Sequence, residues 1–169
     1  QHRNAMQLGR LAENAGVAML TVHGRTREQG YKEEAEYNTI AAIKAAVRIP
    51  VVANGDIDSP QKAARVLAAT GAVALMIGRA AMGRPWLFRE IGHFLQTGAE
   101  LPSPAVAEVH SALLRHLDDH YSLYGEYTGV RNARKHINWY VASLPGGSLL
   151  RQRVDAMESA AEQMQAVDA

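Results

Sequence analysis

Ile49-Pro50-Val51-Val52-Ala53-Asn54-Gly55-Asp56 is the stretch on which the reading of this chain turns. An aliphatic run too short for a helix stops on an amide, a glycine and a carboxylate. Ser59-Pro60 follows, a hydroxyl cap with proline at the first helical position. This is a strand handing over to a helix. The same order occurs on both sides: Val17 to Val22 ends on His23-Gly24-Arg25-Thr26-Arg27, and Ala72 to Ile77 ends on Gly78-Arg79-Ala80-Ala81. Helical patterns separate the runs. Met6, Leu8, Leu11 and Ala15 share a face before Gly16, and Ile40, Ile43 and Val47 follow Asn38, which is placed to cap. Ala63, Val66 and Leu67 lead to Gly71, and Pro85 opens a helix through Trp86, Ile91 and Phe94. Strands alternating with helices predict an α/β fold with a parallel sheet and right-handed crossovers.

The outer strands resemble each other. Ala15-Gly16 through Gly24-Arg25 lines up with Thr70-Gly71 through Gly78-Arg79 with one inserted residue. A recurrence every two βα units favours a TIM (β/α)8 barrel, about three strands of it, over an open doubly wound sheet. After Gly98 the character changes. Leu101-Pro102-Ser103-Pro104 reads as a linker, and three amphipathic helices follow, broken at Gly125 and at Pro145-Gly146-Gly147. The third is striped by Leu150, Val154, Met157 and Met164. The expected division is therefore 1–98 for the α/β part and 99–169 for an all-α helical bundle domain.

The bulk numbers exclude more than they identify. The chain has 169 residues, 47% hydrophobic and 21% charged, an ordinary globular composition with no run long enough to span a membrane. There is no cysteine, so disulfides, thiolate metal sites and a cysteine acid or nucleophile are excluded from this chain. No metal is expected, and a reducing cytoplasm suits the composition. The first residues lack an initiator methionine and read as the middle of a helix, so a fragment is expected. The net charge of +1 is patterned: residues 129–153 hold five basic side chains and no acidic one.

Small polar groups at the carboxyl ends of successive parallel strands are where α/β proteins build ligand sites. Gly78-Arg79 is the best phosphate signal, because a glycine amide lets an oxygen approach and the arginine supplies charge. A plain strand stop would leave that cation unexplained. Asn54-Gly55-Asp56 is also a common turn sequence, but a turn and a ligand contact coincide in βα loops. His23 alone would read as a core histidine; before Gly-Arg at a strand end it reads as a ligand contact. Arg131, Arg134 and Lys135, at i, i+3 and i+4, share a helix face that suits a phosphate backbone, whereas a lone basic face is more often only solvated.

Together these stretches resemble the tRNA-dihydrouridine synthases, and within them the bacterial B-type branch. The residues that carry the likeness are Val22 to Arg27 with Gln29-Gly30-Tyr31, Ile49 to Ile57, Met76 to Trp86, and Arg131-Asn132-Ala133-Arg134-Lys135-His136. The resemblance implies that residues 1–98 are the carboxyl-terminal portion of an FMN-binding TIM (β/α)8 barrel and 99–169 a helical tRNA-binding domain, in a cytoplasmic enzyme in which NADPH reduces the flavin. Hydride then passes to a uridine base in tRNA and a cysteine of the family supplies the proton, which saturates the C5–C6 bond. It further implies that His23 faces the flavin, that Asn54, Gly55 and Asp56 contact FMN, and that Gly78 and Arg79 hold its phosphate. Arg131, Arg134 and Lys135 match the basic helix that meets RNA. The family's catalytic cysteine and first flavin loop have no counterpart here, so no catalytic residue is expected in this chain and alone it should not turn over. The alternatives are a non-catalytic tRNA-binding truncation product and another FMN- or phosphate-binding barrel oxidoreductase.

Overall fold

The computed structural model describes residues 4–30 and 32–168. These form two compact units, one reaching Ala81 and resuming over Leu87–Leu101, the other made of Met82–Trp86 and the chain from Pro102 onward. In the first unit α1 (Ala5–Asn14), β1 (Leu20–His23), α2 (Asn38–Ala46), β2 (Val51–Asn54), α3 (Pro60–Thr70) and β3 (Ala74–Met76) alternate. A 3-10 turn, Arg79–Ala81, and α4 (Leu87–Thr97) follow. The strands form a parallel sheet in the order β1-β2-β3.

The alternation of side chains along a strand explains the layers. Leu20, Val22, Val51, Ala53 and Leu75 point to one side, where they meet Ile40 and Ile43 of α2, Val66 of α3 and Leu87 and Ile91 of α4. Burying Ile40 or Leu87, both fully covered, contributes roughly 1.5–3 kcal/mol each. The other side carries Met19, Thr21, His23 and Met76, all exposed. The helices thus share one face of the sheet. α3 forms as its sequence specifies: the Ser59 hydroxyl accepts the Lys62 amide at 3.3 Å, and Gly71 closes the helix at φ 64°.

Several expectations need correction. The apolar row Met6, Leu8 and Leu11 is exposed; α1 packs instead through Gly9, whose missing side chain brings it against Ile43, Leu20 and Val47. A small residue, not a large one, marks the contact face. Asn38 is already inside α2, and Glu36 caps that helix by accepting the Thr39 amide at 3.1 Å. The outer strands are shorter than their aliphatic runs, and Val17 and Val73 are exposed.

In the second unit α5 (Val106–Val141) precedes α6 (Gly147–Ala156) and α7 (Ala160–Asp168). A straight helix would hold residues 116 and 136 about 30 Å apart at 1.5 Å per residue. Their rings lie 4.8 Å apart. α5 is therefore two arms folded back on each other, reversing near Gly125, whose φ of 69° and ψ of 176° only glycine adopts readily. Leu117, Ala133, Ile137 and Val154 are wholly buried at the centre. The Tyr121 hydroxyl donates to Gln163 Oε1 at 2.7 Å, and Gln163 Nε2 donates to the Val130 carbonyl at 3.2 Å, so the one wholly buried polar side chain described here is paired at both ends. Burial pushes the Tyr121 phenol up to about 12. Burial, then the neighbouring His116 and His120, pushes His136 down to about 4.

The third helical stripe is not one helix. The chain leaves α6 at Met157 and restarts at Ala160, where Ser159 Oγ accepts the Glu162 amide and Glu162 accepts the Ser159 amide, both at 3.2 Å. That reciprocal pair is a capping box, and Ser159-Ala160-Ala161-Glu162 spells it.

Candidate functional site

Parallel pairing places His23 beside Asn54 and Asn54 beside Met76, a row at the carboxyl ends of all three strands. Register partners in a sheet share a face, so His23 and Asn54 stand together on the exposed side. The Asn54 Nδ2 donates to the Met76 carbonyl at 2.7 Å. That bond ties β2 to β3 and leaves Oδ1 as the atom that can accept from a ligand. Beyond the row, the Gly24 amide donates to the Asn54 carbonyl at 2.9 Å, and Gly24 accepts the Glu36 amide at 2.8 Å. A side chain at Gly24 would sit 2.5 Å from the Glu36 carbonyl, so the loop from 24 to 36 can close only over glycine.

Asp56 is the hub of this end of the sheet. Its carboxylate accepts from Arg25, from the Ala35 amide at 2.9 Å and from Arg79 at 3.3 Å. Burial alone would push the carboxyl up; the Arg25 hydrogen bond and the Ala35 amide outweigh it and hold it below its ordinary 3.8. Its backbone sits at φ 48°, a conformation few residues other than glycine adopt. The two arginines differ. Arg25 is 4% exposed, donates Nε to the Glu33 carbonyl at 2.5 Å, and has a buried Nη1 with no hydrogen-bond partner. Arg79 is 55% exposed. The Tyr37 hydroxyl donates to the Gly55 carbonyl at 2.8 Å and braces the same turn.

Two clefts open at these strand ends. One, about 340 Å³, is lined by Asn54, Asp56, Asp58, Met76, Gly78 and Arg79. The other, about 430 Å³, lies over His23 to Gln29. All six residues expected at a cofactor therefore gather within one sheet end: Asn54, Gly55, Asp56, Gly78 and Arg79 around the first cleft, His23 in the second. At Gly78 nothing lies within 4 Å of where a side chain would begin, an open cradle beside an arginine. Such a cradle fits a phosphate-bearing group. Sequence reasoning misses the role of Arg25; the signal that marks it is the repeated Gly-Arg pair, since Gly24-Arg25 and Gly78-Arg79 send their guanidinium groups to one carboxylate. Tyr31 lies outside the described residues.

The basic helix is split in use. Arg131 is exposed, its guanidinium 3.7 Å from the centre of the Tyr127 ring, and Lys135 is exposed beside it. Arg134 turns inward and donates to the Met157 carbonyl at the end of α6 at 2.7 Å. Arg131 and Lys135 stay at the surface, while Arg134 holds two helices together. Among the described residues no helix is long and apolar enough to cross a membrane.

Comparison with known proteins agrees with the motifs. The family model described as dihydrouridine synthase matches residues 1–169. A tRNA-dihydrouridine synthase B of Pseudomonas aeruginosa is 56% identical over 157 residues, 93% of this chain and 47% of the relative. The Shewanella oneidensis protein of that name is 55% identical over 168 residues, 99% of this chain and 52% of its own. The Salmonella typhimurium one is 48% identical over 169 residues, 100% and 53%. The chain spans about half the length of these relatives. On the match over its whole length, the chain belongs to the dihydrouridine synthase family.

Proposed function

We propose that this chain supplies the phosphate-holding end of the flavin site and an RNA-contacting helical domain to a cytoplasmic tRNA-dihydrouridine synthase. Support for the barrel comes from the sheet: consecutive strands in sequential order with their helices on one face match a (β/α)8 barrel, whereas a doubly wound sheet carries helices on both. In this reading residues 1–98 belong to the barrel and 99–169 to the tRNA-binding domain.

The observation that carries the proposal is the convergence of His23, Asn54, Asp56, Gly78 and Arg79 at one sheet end. When bound, FMN reduced by NADPH would supply the hydride for the uracil C5–C6 bond, and the accompanying proton would come from a group not assigned to this chain. The chain's own residues bind and orient. The Gly78 amide and the Arg79 guanidinium would hold the phosphate, the guanidinium from a half-exposed position 3.3 Å from Asp56. Arg25 neutralises Asp56 from the buried side, so the carboxylate does not repel the phosphate. Asn54 Oδ1 and the His23 ring offer polar contacts to the flavin from the exposed face of the sheet. Arg131 and Lys135 meet the tRNA backbone.

A chimera tests this: the portion of the Pseudomonas aeruginosa relative that this chain does not cover, joined to this chain. It should retain FMN and form dihydrouridine in unmodified tRNA with NADPH. Arg79→Ala in it should weaken FMN binding at least tenfold and riboflavin binding little. A folded, flavin-loaded chimera that leaves tRNA uridines unreduced would sink the synthase reading. Equal loss of FMN and riboflavin would remove the phosphate from Arg79.

A further inference from the structure

Outside the strand ends, the second unit gathers three histidines that no step above uses. His116 and His120 are one turn apart on the first arm of α5, and His136 comes from the second arm. One ring nitrogen from each lies within 4.8 Å of the other two. The rings stand 4.8 Å (His116 to His136), 5.1 Å (His120 to His136) and 6.3 Å (His116 to His120) apart, tilted or edge-on, so that they converge without stacking. Tyr124, Trp139 and Tyr140 wall the cluster at ring distances of 4.7, 5.1 and 5.8 Å.

Hydrogen bonding singles out one atom. His120 is only 7% exposed, and its Nε2 is buried with no partner. A buried imidazole nitrogen is seldom left without a hydrogen-bond partner, so this atom points to a ligand the protein side chains do not supply. The Tyr140 hydroxyl lies 3.4 Å from His116 Nδ1, close enough to orient that ring and leave Nε2 for another partner. Three imidazoles with no thiolate or carboxylate among them suit a borderline divalent ion such as Zn²⁺, and do not suit Mg²⁺ or Ca²⁺, which demand oxygen.

We propose that His116, His120 and His136 form a three-histidine site for a divalent transition-metal ion of the zinc type, its fourth position open to water. Ligand nitrogens around tetrahedral zinc lie about 3.3 Å apart, given bonds near 2.0–2.1 Å. The nitrogens, now within 4.8 Å of one another, reach that spacing when side-chain rotations draw them together by up to about 1.5 Å. Because the ligands come from both arms of α5, the metal would clamp the fold-back at Gly125. Lys135, next to His136, opposes a dication and makes this a modest site, not a buried structural zinc.

The test uses the 169-residue chain without a histidine tag, stripped with chelator and titrated with Co²⁺ and then Zn²⁺ alone. One equivalent of Co²⁺ should bring visible bands of tetrahedral strength, which Zn²⁺ bleaches, and saturating Zn²⁺ should raise the thermal midpoint. His120→Gln and His136→Gln should each lower Co²⁺ affinity at least tenfold. If either fails to fold, His116→Gln, at the half-exposed edge of the cluster, carries the same expectation. No visible bands at millimolar Co²⁺ would overturn the proposal. So would Co²⁺ binding that survives His116→Gln in a chain with unchanged circular dichroism, since the ligands would then lie elsewhere.

Discussion

The strand ends and the fold-back of α5 both bring polar side chains together, by opposite routes. At the strand ends the groups sit on short motifs 22 to 31 residues apart, and parallel register brings them together: His23, Asn54 and Met76 align because their strands do. In α5 the meeting residues are sixteen to twenty apart on one continuous helical stretch, and only a reversal at Gly125 joins them. The first arrangement is held by one carboxylate and two guanidinium groups. The second is held by apolar packing around Leu117 and Ile137. A site built on register should fail through its charges, and one built on a reversal through its backbone.

The largest expected effect follows from Asp56. Asp56→Ala strands Arg25, which is almost fully buried and already has one nitrogen unpartnered. Stability should fall by about 3–5 kcal/mol, the usual result of removing one partner of a buried pair, measurable by urea unfolding. A loss under 1 kcal/mol would mean that water solvates Arg25 and that the hub is not structural. The pH dependence has a definite sign. The Asp56 carboxyl is held below 3.8 in the folded chain, so its contribution is fully present above that value and is lost as the pH falls through and below it. Asp56→Asn should remove that part of the acid sensitivity.

Two glycines sharpen the contrast at the next level. At Gly83, φ is 67° and a side chain would begin 2.4 Å from the Trp139 carbonyl carbon, so Gly83→Ala should cost about 2–3 kcal/mol. At Gly78 the corresponding space is open and φ is not positive, so Gly78→Ala should change stability by less than about 0.5 kcal/mol. Any defect it causes should then appear in ligand binding. Equal destabilisation by the two would erase the distinction between a packing glycine and a cradle glycine.

How legible each region is from sequence follows from the same difference. Ser59-Pro60, Gly71 and the strand before Asn54 are local signals, and they form as read. The polar row at the strand ends is legible because each motif carries its chemistry within a few residues. The role of Arg25 is not, because its partner Asp56 is 31 residues away and a Gly-Arg pair does not name it. The exposed row on α1 misleads because amphipathicity shows that a helix has two faces, not which one is covered; Gly9 decides that by close approach. The capping box at Ser159 was spelled in the sequence but masked by an apolar stripe running through it. The histidines carry no short spacing signal beyond His116 and His120, since the third ligand depends on where the helix turns back.

The smallest effects separate the three basic residues on the second arm of α5. Arg134 donates to the carboxyl end of α6, so Arg134→Ala should cost about 1–2 kcal/mol of stability. Arg131→Ala and Lys135→Ala should each stay within about 0.5 kcal/mol, because both are at the surface and the Tyr127 contact of Arg131 is solvated. In tRNA binding the order should invert. Each surface substitution that removes a phosphate contact should reduce the slope of log affinity against log salt by about one, with little change in stability. Arg134→Ala, measured below its unfolding transition, should leave the slope nearly intact. If all three lower the slope equally, Arg134 must leave Met157 when RNA arrives, and the inward bond is a resting position of an RNA ligand. If neither surface residue alters it, the RNA-contacting surface lies elsewhere, and Arg151 and Arg153 in the second half of α6, both exposed, are the next to replace.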